Sequence, residues 1–277
     1  MSNKFSLALL GTAFVCLALA MPTQAQAPIR VFVSGSGSDS NNCSVAAPCR
    51  TFQGAYSAVA AGGEIDVLDP AGYGDLTIGK ALSIQGHGYG GITATGSAGI
   101  TISAGSSDAI NLRGLIIDGA GSSSNGIYFT SGGTLNIQDC VVRNIYTGVW
   151  IYTGGSSQLF MSDTIVSDIG AGAITVNAGT PPVTLYLNDV EADNSYSGVS
   201  AYGSGAFIDI RNSSISGNSY GLYANDGAVI HLSASNLTGN FRGWTIDTGG
   251  GSIESTGDNL IDDNSNDNGA PPTFNYQ

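Results

Sequence analysis

Three ionisable residues recur in step along this chain. Asp209, His231 and Glu254 occupy equivalent places in consecutive copies of an internal repeat, one copy after Tyr186. Stacked copies would put them about 4.8 Å apart on the outer side of one sheet. An acid–His–acid column suits general acid–base catalysis or metal holding, because imidazole exchanges protons near neutral pH. The same column is also a cross-strand stabiliser, with His231 held between two carboxylates. Catalysis therefore has only weak candidates, and neither a metal nor a cofactor is expected.

A second set points to binding. On the strand that follows the Gly of each copy, the outward residues are Tyr128, Trp150, Thr175, Ser200, Tyr223 and Thr245. Two residues further on they are Thr130, Tyr152, Asn177, Tyr202, Asn225 and Asp247. Five of these twelve places are aromatic in a chain with 8% aromatic residues, so the rings are concentrated there. Rings beside Asn, Ser and Thr offer stacking and hydrogen bonds to a sugar. Tyr128, Trp150, Tyr152, Tyr202, Tyr223 and Asp247 are the candidate ligand-binding residues. The competing reading is ring-on-ring packing that stiffens the sheet.

The remaining reactive residues have simpler readings. Cys43 and Cys49 share a polar loop and are expected to form a disulfide in an oxidising compartment. Cys140 faces inward in the repeat, where a thiol acts as a small apolar side chain and no base adjoins it. His87, in the Gly-rich stretch Gln85 to Gly91, has no evident partner and reads as a loop residue.

The elements that must hold these residues are visible as a mask. Leu135-x-Ile137-x-x-Cys140-x-Val142, a gap, then Gly148-Val149-x-Ile151 is one copy. Copies begin at Ile110, Leu135, Leu159, Leu185, Ile208, Ile230 and Ile253, 22 to 26 residues apart. Each holds pairs of apolar residues at period two, as in short strands with one buried face. Strands joined by only two residues, without hairpin glycines, can be consecutive sides of one coil. The fold predicted is all-β: a right-handed single-stranded parallel β-helix of about eight coils. Residues 127, 149, 174, 199, 222 and 244 should then stack in one buried column. A sandwich or barrel of hairpins is the rival, and it does not predict this register.

Corners and ends follow the same logic. Asp139, Asp163, Asp189 and Asn212 share a turn position where left-handed backbone is tolerated, and stacking would make them an Asx ladder. Asn218 and Asn240 repeat at a later corner. The stretch from Thr51 to Val59 has helical spacing at Phe52, Ala55 and Val59, suited to covering the open end of the stack. Residues 1–27 read as a secretory signal peptide: a positive start, the apolar run Phe5 to Ala20, and Ala25-Gln26-Ala27. The expected organisation is leader 1–27, disulfide loop and capping helix 28–63, β-helix 64–263, and tail 264–277.

Composition narrows the partners. With 21 acids against 8 bases the net charge is −13, which argues against nucleic acid and anionic membrane surfaces. No membrane insertion is expected once the leader is removed. The mature chain is expected in the periplasm or outside the cell.

Several segments carry a family resemblance. Val31-Phe32-Val33-Ser34-x-Ser36-Gly37-Ser38-Asp39, Ala47-Pro48-Cys49-Arg50-Thr51-Phe52, Gly62-Gly63-Glu64-Ile65-Asp66-Val67 and Gly72-Tyr73 resemble the opening of secreted β-helix proteins. These belong to the superfamily of pectate lyases, pectin esterases and polygalacturonases. The resemblance implies the β-helix and a substrate cleft on the strand after the Gly. It does not carry over a catalytic motif. The polygalacturonase acid positions hold Thr147, Gly172, Ser197, Tyr220 and Arg242, and the lyase side offers only Asp247 with Arg242. Polysaccharide binding is therefore the first expectation. A lyase, hydrolase or epimerase with an unrecognised site is the second, and a structural or adhesive surface protein the third.

Overall fold

The computed structural model describes residues 26–266 and 269–274. The expected leader lies almost wholly outside the described residues. Every strand-to-strand pairing among them is parallel, and the register follows the mask. The result is a right-handed parallel β-helix of about eight coils. Ile127 pairs with Val149, Val149 with Ile174, Ile174 with Val199, Val199 with Leu222, and Leu222 with Trp244. The first five of these side chains are fully buried, so the period-two pattern sends one row inward at every coil. Trp244 is only partly buried because it belongs to the final coil. Its indole N–H donates to the Gly269 carbonyl at 2.8 Å, so the tail covers what no further coil does.

The tail also extends a sheet. Thr273 pairs in parallel with Ser255, the Ser255 N–H donates to Pro272 O at 2.8 Å, and the Phe274 N–H donates to Ser255 O at 3.0 Å.

At the other end the helix Phe52–Ala58 buries Phe52 and Ala55. Thr51 is its N-cap, with the hydroxyl accepting from the Gly54 N–H at 3.0 Å. Lys80 Nζ donates to the carbonyls of Tyr56 and Val59 at 2.9 and 2.6 Å, satisfying the helix C-terminus. Cys43 and Cys49 are disulfide-bonded and Cys140 is a buried free thiol.

The corners depart in part from expectation. Asp139, Asp163, Asp189 and Asn212 all take left-handed backbone, with φ of 53°, 50°, 54° and 48°. The side chains of Asp139, Asp189 and Asn212 nevertheless bond sideways rather than to one another. Asp139 pairs with Arg113 at 3.0 Å, Asn188 donates to Asp189 at 2.6 Å, and Asn212 donates to Asn188 at 2.8 Å. Carboxylates one strand spacing apart repel, so a charged stack has no reason to close.

The ladders that do close are buried and neutral. Asn218, Asn240 and Asn264 form one, each carbonyl accepting from the amide of the coil before. Ser213, Ser235 and Asn259 form another, in which the two serine hydroxyls and the Asn259 carbonyl accept from the amide of the coil before.

Candidate functional site

The parallel register places the aromatic candidates side by side on one face. Tyr128 pairs with Trp150, Trp150 with Thr175, Thr175 with Ser200, and Ser200 with Tyr223. In the neighbouring column Tyr152 pairs with Asn177, Asn177 with Tyr202, and Tyr202 with Asn225. The rings fall into two clusters. Trp150 stacks on Tyr128 at 4.8 Å between centroids and meets Tyr152 at 5.8 Å. Tyr202 meets Tyr223 at 5.4 Å, and Tyr220 meets Tyr196 at 5.5 Å and Tyr223 at 6.0 Å. Tyr128, Trp150, Tyr202 and Tyr223 are half-buried against one another, whereas Tyr152 is 52% exposed.

Two recesses run into each other along this face. The larger, about 570 Å³, is bordered by Tyr146, Trp150, Thr175, Asn177, Tyr196 and Tyr202 among others. The smaller, about 290 Å³, lies between Tyr202, Tyr220, Tyr223, Arg242 and Asp247. Tyr196, Ser197 and Tyr202 border both, so the recesses adjoin as one trough divided by these side chains. The larger lies within the range of about 300–1,000 Å³ usual for small-molecule sites.

The trough carries charge at one end. The Tyr223 hydroxyl donates to an Asp247 carboxylate oxygen. That bond and the Thr248 N–H hold Asp247 below the usual carboxylate range. Burial, reinforced by Asp247, pushes the Tyr223 phenol above its ordinary range. The Tyr202 phenol is likewise raised, chiefly by burial. The Arg242 guanidinium lies 5.8 Å from the Tyr220 ring centroid, a cation–π contact, and its Nε is buried without a hydrogen-bond partner.

Tyr146, Tyr196 and Tyr220 were not among the residues singled out for binding. Tyr146 and Tyr196 are 54% and 57% exposed on the rim. Their signal is the spacing Tyr146-Thr147-Gly148 and Tyr196-Ser197-Gly198, an aromatic two places before the Gly of the mask. Alternation could not reveal it, because Tyr196 precedes its strand and Tyr146 follows closely on the left-handed bend at Asn144, where the period-two pattern is interrupted.

The ionisable column comes together with its own partners. Tyr186 pairs with Asp209, Asp209 with His231, and His231 with Glu254. Asp209, outward by parity, is 4% exposed and is ion-paired with Arg211 at 2.8 Å. His231 Nε2 lies 3.6 Å from Glu254, whose other oxygen accepts from the Ser252 hydroxyl at 2.7 Å. Phe274 from the tail stacks on the imidazole at 4.1 Å, and Phe207 meets its edge at 4.9 Å. Aromatic packing thus surrounds a ring that general acid–base work would need open to substrate.

His87 does have a partner. Its Nε2 lies 2.6 Å from Asp66, which also accepts from Arg30 at 2.6 Å. The contact joins residues 21 positions apart, in coils that the irregular start of the repeat left unaligned.

Cys140 is 1% exposed, and burial pushes its thiol up to about 11. Among the described residues no group of three His, Cys, Asp or Glu is placed to hold a metal. None of the described helices is long and apolar enough to cross a membrane.

The structure of pectate lyase Pel9A is similar with a TM-score of 0.49 at 14% sequence identity, covering 87% of this chain and 78% of that one. No curated protein matches the sequence. Residues 98–266, more than half of the chain, match the family described as the right-handed beta helix region. Strand register and family match together identify this chain as a member of the right-handed β-helix family.

Proposed function

We propose that this chain is an exported protein that binds a polysaccharide along the aromatic face. The observation that carries the reading is the pair of adjoining recesses, which share Tyr196 and Tyr202 and are lined by rings and short polar side chains. Aromatic faces supply apolar contact with sugar C–H groups, and the Asn, Ser and Thr edges supply hydrogen bonds to hydroxyls. The net charge of −13 favours a neutral or weakly charged glycan over a polyanion. Export rests on the apolar N-terminal leader, and the Cys43–Cys49 disulfide suits an oxidising compartment.

A glycan array probed with the mature chain tests this reading, followed by titration of each hit. Binding of a neutral oligosaccharide without new products supports it. Shortened or unsaturated products from a bound glycan would make the same face an active site. An array on which nothing binds would remove the proposal.

A further inference from the structure

We propose that the face clamps one sugar ring of a β-linked, gluco-configured glycan in a slot between Trp150 and Tyr202. This rests on the glycan-binding reading above and specifies its ligand. The slot follows from which coils carry rings. The Ala171 N–H donates to Tyr146 O at 2.7 Å and the Ser197 N–H donates to Ala171 O at 3.0 Å. Tyr146, Ala171 and Tyr196 therefore stand on successive coils along the rim. Across the face the sequence of coils is the same: Trp150, Thr175, Ser200 in one column and Tyr152, Asn177, Tyr202 in the other. The middle coil offers Ala171, Gly172, Thr175 and Asn177 and no ring, while both flanking coils carry rings on the rim and on the face.

Two strand spacings, about 9.6 Å, separate the ring-bearing coils, and Trp150 and Tyr202 stand in neighbouring columns two residues apart along the strand, so they flank the ringless coil diagonally. That spacing leaves room for one pyranose between the two rings. Tyr128 covers one face of Trp150 at 4.8 Å, and Tyr223 flanks Tyr202 at 5.4 Å. Both Trp150 and Tyr202 border the larger recess with their remaining surface. A sugar between two aromatic walls must present C–H groups on both faces. A β-linked gluco-configured pyranose does so, because its hydroxyls and both linkages are equatorial. In a galacto-configured chain of the same linkage the axial O4 carries the glycosidic bond, so it drives the neighbouring sugar toward one wall and the ring cannot present C–H groups to both. The equatorial hydroxyls point instead to the slot's edges, where Thr147, Asn177 and Ser197 stand.

Calorimetric titration with cellohexaose, chitohexaose and the galacto-configured hexamer of the same linkage tests the slot. At least one gluco-configured hexamer should bind, and the galacto-configured one should bind about tenfold more weakly or worse. Thr175→Tyr, which fills the slot with a ring, should weaken the gluco-configured ligand by about tenfold or more. Its thermal unfolding should stay as in the unsubstituted chain, since the new ring continues the Trp150 stack. Asn177→Phe supplies the same obstruction from the other column should Thr175→Tyr fail to fold. Equal or tighter binding of the galacto-configured hexamer, or undiminished binding by the filled variants, overturns the slot and leaves the glycan-binding reading standing. Failure of all three hexamers together with an empty array removes both.

Discussion

Asn240 Oδ1 accepts two hydrogen bonds from Asn218, one from its backbone N–H and one from its side-chain amide, each at 3.0 Å. The pair is fully buried at a corner where the chain turns toward the aromatic face. Asn240 in turn donates to Ile215 O at 3.0 Å and to Asn264 at 3.1 Å, so one side chain joins three coils. Asn240→Leu keeps the volume but strands several buried polar groups. It should lower unfolding free energy by about 3 kcal/mol, measured by denaturant melts. An unchanged midpoint would mean the ladder is not a stabilising element.

Trp150→Ala and Tyr202→Ala test the working face. Each should weaken a bound neutral glycan by about 1–2 kcal/mol or more, because a stacking wall is removed. Since Trp150 also stacks on Tyr128, its loss should cost about 1 kcal/mol of stability. A stability loss with unchanged affinity would assign the rings to sheet packing alone. Titration and thermal unfolding on both variants separate the outcomes.

Cysteine chemistry should follow burial. Alkylation of the native protein should leave Cys140 unlabelled, because its thiol is enclosed and its ionisation is pushed up to about 11. Cys43 and Cys49 should be recovered as one linked pair on peptide mapping. Rapid native labelling of Cys140 would contradict its place in the core.

Acid stability should depend on Asp69. Its carboxylate is held below the usual range, first by the Tyr73 hydroxyl, then by the Gly35 N–H and Ser34 hydroxyl. A carboxyl lowered by folding stabilises the fold above its unfolded value of about 4, and this is lost as pH falls through the lower folded value. Asp69→Asn should therefore cost about 1–2 kcal/mol near neutral pH and progressively less below pH ~4. Thermal melts across pH 2–7 give both limbs. A cost that does not shrink on acidification would exclude ionised Asp69 as its source.

The architecture follows from the amino-acid pattern alone. Alternating apolar pairs at a recurring interval force one row of side chains inward, and this holds for Ile127, Val149, Ile174, Val199 and Leu222. Trp244 breaks the pattern only because a terminal coil has no neighbour beyond it. The outward placing of Trp150, Tyr152, Tyr202 and Tyr223 was legible for the same reason, since parity fixes which side a strand residue faces. Parity says nothing of corners. Tyr146 and Tyr196, the bond between His87 and Asp66, and the sideways pairing of Asp139 depend on how loops fold back across coils. The pairing of Arg211 with Asp209 and the packing of Phe274 on His231 emerge only in the folded chain. Contacts between residues far apart in the chain depend on the path of the intervening backbone, which a local pattern does not encode. The slot over Thr175 needed both levels: the sequence supplied a coil without rings, and the stacked register set it between two coils that have them.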